Sequence, residues 1–146
     1  MELRVRTIRC YVFLILYYGL ESWTLKQEHI NKLQAFKMWC YRRMLRISWM
    51  ERKTNIEILQ EIGKEYEVIN TIKARKLQYL GHIMRGQRYE MLRLIMQGKI
   101  KGRRNVGRRR ISWLRNLRDW YNCSSIELFR AAANKVKIAM MVSNLR

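Results

Sequence analysis

The chain has 146 residues with 31 lysines and arginines against 11 acidic residues, a formal net charge of +20 that excludes an ordinary near-neutral enzyme surface. Self-repulsion at that level opposes compaction unless a polyanion relieves it, so nucleic acid is the expected partner. Hydrophobic residues at 49% exclude a disordered tail, and three widely separated cysteines (Cys10, Cys40, Cys123) exclude a disulfide framework.

The cysteines also lack the paired spacing of a zinc site, and neither a metal nor any other cofactor is expected. Proline is absent and apolar residues recur at steps of three and four. That periodicity predicts a mainly α chain, a small domain of five to six helices. The expected helices lie near 2–18, 25–47, 55–62, 65–85, 111–121 and 125–145. Three starts carry one signature: Thr24 with Gln27, Thr54 with Glu57 and Ser124 with Glu127 each place a hydroxyl three residues before Glu or Gln. Side chain and backbone can then cap each other reciprocally. Gly63 and Gly86 follow periodic segments at positions that suit a left-handed helix end.

In the first helix Arg4, Arg6 and Arg9 precede the apolar run Cys10 to Leu20, which imitates the start of a secretion signal. Small residues before a cleavage point are missing, because Tyr17 or Leu20 would stand at the upstream position. The run is also shorter than the roughly 20 residues of a bilayer-crossing helix, so no membrane partner is expected. A buried helix or strand is the reading adopted. The face carrying Val12, Leu16 and Tyr17, if uncovered, is expected to drive self-association; the oligomeric state is otherwise open.

In the second helix Ile30, Leu33, Phe36, Cys40, Met44 and Ile47 form the expected core stripe. Trp39, Arg42 and Arg46 lie opposite. They read either as a stacking and phosphate-binding face or as a second packing surface covered by arginine stems, with Trp39 as support. Glu57, Glu61, Glu65 and Glu67 read as caps and surface charge.

In the fourth helix Ile69, Ile72, Leu80 and Ile83 share one face, while Thr71, Arg75, Gln78, His82 and Arg85 step 4, 3, 4, 3 along another. The second row contains no carboxylate. Solvated faces usually mix signs, whereas a row of cations and hydrogen-bonding groups suits a phosphate backbone. The segment Tyr89 to Ile100 reads as a short helix or as half of a strand pair near 92–112.

The densest basic stretch is "GKIKGRRNVGRRRISWLRNLRDW". Lys99, Lys101, Arg103, Arg104, Arg108, Arg109, Arg110, Arg115 and Arg118 occur there before the first acidic residue, Asp119. Glycines 98, 102 and 107 allow the backbone to bend around a phosphodiester, and Trp113, Leu117 and Trp120 anchor the helix that follows. A flexible basic clamp over 98–110 on a fixed support is expected; a nuclear-localisation patch or an unspecific basic loop are the alternatives. Catalytic residues are not expected. Asp119 is the only aspartate, too few carboxylates for two-metal phosphoryl transfer, and no nucleophile–base set or phosphate loop declares itself.

Several stretches, in order, resemble one known family: "LYYGLESWTL", "LQAFKMWCYRRMLRISW", "TNIEIL", "IKARKLQYLGHIMRG", "YEMLRLIMQGKIKGRRNVGRRRISWLRNLRDW" and "LFRAAANKVKIAMMVSNLR". Over nearly all its length the chain is similar to the C-terminal part of the endonuclease–reverse transcriptase of animal non-LTR (LINE-type) retrotransposons. The resemblance implies that residues 1–24 are the remnant of a polymerase thumb segment and 25–146 the helical, basic post-polymerase domain. It further implies an intracellular, nuclear fragment gripping RNA or DNA, with an intact enzyme of the same family as a partner in trans. The family's palm aspartates and endonuclease residues have no counterpart here, so no catalysis is implied. The chain departs from the family at Leu20 and at Asn105–Val106, as a copy drifting without selection would. An inert relic, or a small secreted cationic protein, are the rival expectations.

Overall fold

The computed structural model describes residues 2–63, 67–99, 101–102, 107 and 112–145. The chain is mainly helical, and among the described residues no strand occurs. It divides into two compact units: residues 1–20 with 25–72, and residues 21–24 with 73–146. The boundary expected near residue 24 concerns the origin of the N-terminal segment; the units themselves interleave around it.

The first unit opens with a helical segment that runs from α1 (Glu2–Thr7) through a π-helical turn, Ile8–Phe13, to α2 (Leu14–Leu16). Phe13, Tyr17 and Leu20 are buried, while Tyr11, Leu14, Ile15 and Tyr18 are exposed. The uncovered apolar face is therefore not the one expected from Val12, Leu16 and Tyr17: Tyr17 points inward, 6.2 Å between ring centroids from Phe13. No helix among the described residues is long and apolar enough to cross a membrane.

The long helix α3 (Gln27–Leu45) follows. Its start is not the expected Thr24–Gln27 box. The chain enters at Lys26, whose backbone N–H donates to His29 Nδ1 at 3.3 Å. The core stripe is also rotated from expectation: Ile30, Lys37, Met38, Cys40 and Tyr41 are buried and Phe36 is exposed. Tyr41 sets this rotation, fully enclosed with its ring edge-on to Phe13 at 6.2 Å. Arg46 ends the helix in the left-handed region at φ 58°, where glycine is usual. The N–H groups of Arg46 and Ile47 close on the carbonyls of Arg43 and Arg42, the paired bonds of a Schellman ending.

A capped turn at Trp49–Glu51, in which Ser48 N–H donates to Glu51 Oε1 at 2.8 Å, leads to α4 (Asn55–Ile62). Here the expected Thr54–Glu57 box forms: Thr54 N–H donates to Glu57 Oε2 at 2.7 Å, and Glu57 N–H to Thr54 Oγ1 at 3.3 Å. Gly63 closes α4 at φ 71°, and Lys53 pairs with Glu61 at 3.5 Å.

Helix α5 (Glu67–Arg85) presents Ile69, Ile72, Leu80 and Ile83 as one buried stripe, as expected. Its residues from Lys73 onward belong to the second unit. Gly86 is not the left-handed end expected: at φ −79° and ψ 127° it opens the turn Gln87–Tyr89. Helix α6 (Glu90–Gln97) takes the place of the possible strand, and Gly98 stops it at φ 72°. Most of the span beyond it that would complete a strand pair lies outside the described residues.

Helix α7 (Trp113–Tyr121) is capped by Ser112, whose Oγ accepts from Arg115 N–H at 3.3 Å. The expected final helix is two: α8 (Ser125–Ala133) and α9 (Lys135–Ser143). The Ser124–Glu127 box starts α8, with Ser124 N–H to Glu127 Oε2 at 2.7 Å and Glu127 N–H to Ser124 Oγ at 3.2 Å. Asn134 divides the pair by leaving helical geometry and accepting at Oδ1 from Val136 N–H at 2.9 Å. The core of this unit gathers Leu77, Leu80, Met84, Leu117, Leu128, Ala132 and Ile138.

Candidate nucleic-acid interface

The polar row of α5 within the second unit is Arg75, Gln78, His82 and Arg85. Gln78, His82 and Arg85 are exposed and Arg75 is half-buried. Beside the row lies an open groove of about 350 Å³, lined by Gln78, Arg85, Lys135, Ile138, Ala139, Val142 and Ser143. Its rim holds two cations, an amide and a hydroxyl over an apolar floor, and among the described residues no carboxylate lines it. That donor set suits an anionic backbone whose sugar and base edges lie against the floor.

Two members of the row also hold the fold. Arg85 Nη1 donates to the Ala132 carbonyl at 2.8 Å, satisfying a carbonyl that the last turn of α8 leaves open. Gly81 leaves room for this: a Cβ there would meet Arg85 Nη1 at 2.8 Å. His82 Nε2 lies 3.3 Å from Tyr89 Oη, with ring centroids 5.2 Å apart. Gly86 permits that return, since a Cβ there would stand 2.7 Å from Tyr89 Cδ2 and 3.1 Å from the His82 carbonyl.

In the basic stretch Lys99 and Lys101 are exposed just past Gly98, whereas Arg103, Arg104, Arg108, Arg109 and Arg110 lie outside the described residues. Of the residues expected to anchor the helix that follows, Leu117 is fully buried, and Trp113 and Trp120 are half-buried. Trp113 Nε1–H donates to the Glu21 carbonyl at 2.7 Å, and its ring meets Tyr79 edge-on at 6.1 Å. Trp39, in the first unit, is 58% exposed and stacks on Phe36.

A residue the sequence did not single out, Lys76, sits between the Trp113 and Trp120 rings. Lys76 is 0% exposed. Its Nζ donates to the Trp23 carbonyl at 2.7 Å and to Asn116 Oδ1 at 3.0 Å, and lies 4.9 Å and 5.2 Å from the ring centroids of Trp113 and Trp120. Burial pushes the ammonium down to a pKa of about 8. Nearby, Tyr121 Oη donates to the Lys73 carbonyl at 3.2 Å, and burial holds its phenol well above the usual range. One signal was available: the stripe Ile69, Ile72, Leu80, Ile83 has room at its centre for one more helical step, and residue 76 is a lysine.

Among the described residues no three His, Cys, Asp or Glu side chains converge as metal ligands. No family model, curated protein or solved structure matches the chain.

Proposed function

We propose that this chain binds RNA or DNA through the phosphate backbone, with little sequence readout and no catalytic step of its own. The observation that carries the reading is the row Arg75, Gln78, His82 and Arg85, extended by Lys135 across a groove that no carboxylate lines among the described residues. The charge ledger supports it. Were each of the 11 acidic residues paired with one cation, 20 cations would still have no carboxylate to neutralise them. The resemblance to the post-polymerase region of non-LTR retrotransposon reverse transcriptases supports the same class of ligand, a nuclear setting and an intact enzyme as partner in trans.

Fluorescence anisotropy with an RNA hairpin and a DNA duplex over a salt series tests this. On duplex DNA each phosphate contact contributes about −0.9 to the log–log slope. Changing Arg103, Arg104, Arg108, Arg109 and Arg110 together to Ala is expected to remove several units of slope. Changing Arg75 and Lys135 to Gln is expected to remove about two. Equal slopes for all three proteins would refute the reading.

A second reading, an inert relic, is favoured by one observation: Leu3, Tyr11, Leu14, Ile15 and Tyr18 expose apolar surface along the N-terminal helical segment. Relic behaviour would show as recovery only in the insoluble fraction and no binding at physiological salt.

A further inference from the structure

On the first unit, Phe36 and Trp39 form an exposed aromatic ledge. Their rings lie 6.1 Å apart at 21°, close to parallel, with Trp39 58% and Phe36 37% exposed. Neither ring belongs to the core, because Tyr41 occupies the inward face of α3 in their place. The Arg43 guanidinium lies 5.9 Å from the Trp39 ring centroid and is itself exposed. Arg42 fixes the neighbouring wall: its Nη2 donates to the Lys53 carbonyl at 2.7 Å and to Asn55 Oδ1 at 3.0 Å. The open groove so framed measures about 710 Å³, and among the described residues its charged lining is Arg42 and Arg43.

We infer that this ledge is a stacking site for unpaired nucleotides of single-stranded nucleic acid. A flat, solvent-facing indole offers a face to any base, and a guanidinium beside it meets the phosphate that follows that base. Duplex bases are stacked on one another and cannot reach such a face. The occupant follows from charge: among the described residues the groove is lined by the cations Arg42 and Arg43 and no carboxylate, on a chain of net charge +20, which suits a polyanion. The inference rests on the nucleic-acid reading above but assigns a different site and a different strand state.

The test is anisotropy with a short poly-U RNA and, in parallel, a DNA duplex, comparing wild type with Trp39→Ala, Trp39→Phe and Arg43→Gln. Trp39→Ala is expected to weaken single-strand binding about tenfold and to leave duplex affinity unchanged. Trp39→Phe should recover most of the loss, because it keeps an aromatic face. Arg43→Gln should lower the single-strand salt slope by about 0.7. Matched thermal midpoints for the variants separate these losses from unfolding. Poly-U affinity unmoved by Trp39→Ala, with the duplex still bound, overturns the ledge alone. No binding of either ligand by wild type removes both proposals. A sedimenting dimer that Trp39→Ala converts to monomer without touching poly-U affinity overturns the ledge in favour of a contact between copies.

Discussion

Trp113 with Lys76 and Trp39 with Arg43 combine the same two kinds of side chain and finish in opposite states. In the second unit the ammonium is fully enclosed, its donors meet the Trp23 carbonyl and Asn116 Oδ1, and two indoles close around it. In the first unit the indole faces solvent and the guanidinium stands beside it. An aromatic–cation pair is therefore not in itself a mark of recognition. Burying a charge is expensive unless hydrogen bonds and favourable dipoles replace water, and a cation so satisfied has little left to give a ligand. An exposed pair keeps its faces and donors for something else.

The contrast breaks or holds first on stability. Lys76→Ala leaves a void and two acceptors without their donor, and should cost about 4 kcal/mol in urea denaturation. Trp113→Ala should cost about 3 kcal/mol through lost packing and the unpaired Glu21 carbonyl. Midpoints close to wild type for both would mean that the cluster does not hold the second unit together.

A pH series sharpens the same point. Lys76 titrates near 8 when folded and near 10.5 when ordinary, so between those values the unfolded state binds the extra proton. Stability contributed at this site should rise as pH rises through that window, by about 3 kcal/mol in all. The Cys40, Cys123 and Tyr121 groups, all pushed up by burial, act in the opposite sense. They cancel when wild type is compared with Lys76→Met, and a flat difference between pH 8 and 10 would show that Lys76 is not enclosed.

Smaller effects belong to the first unit. Arg46→Gly relieves a left-handed residue and should add about 1 kcal/mol. Trp39→Ala should shift stability by no more than about 0.5 kcal/mol, as expected for an exposed side chain away from the core. A loss as large as that of Trp113→Ala would erase the distinction between the two clusters.

Local chemistry was legible before the fold was known. The Thr54–Glu57 and Ser124–Glu127 boxes, the left-handed Gly63 and the inward stripe of α5 each depend on residues within a few positions of one another. What could not be read depends on distant partners. Phe36 belongs to a periodic apolar stripe, yet Phe13 draws Tyr41 inward and turns α3 so that Phe36 faces out. Lys76 looks like one more surface charge until Trp23 and Asn116 supply its acceptors. Asn134 is a local signal hidden by the apolar spacing, which continues on either side of it without a break. Of the polar row, its sharing of one helix was legible, but the commitment of Arg85 to the Ala132 carbonyl was not.

The π-helical turn Ile8–Phe13 makes the N-terminal segment unusually sensitive to length. Val5, Arg9, Phe13 and Tyr17 follow one another at steps of four, and Val5, Phe13 and Tyr17 are buried. At 3.6 residues per turn a strict step of four drifts about 40° each time around an α-helix. Hydrogen bonding to the fifth residue underwinds the helix through this turn and turns the drift back. Deleting a single residue between Ile8 and Phe13 would swing Tyr17 about 100° from Val5. Reading frames that gain or lose a codon here would keep their composition and lose their inner face.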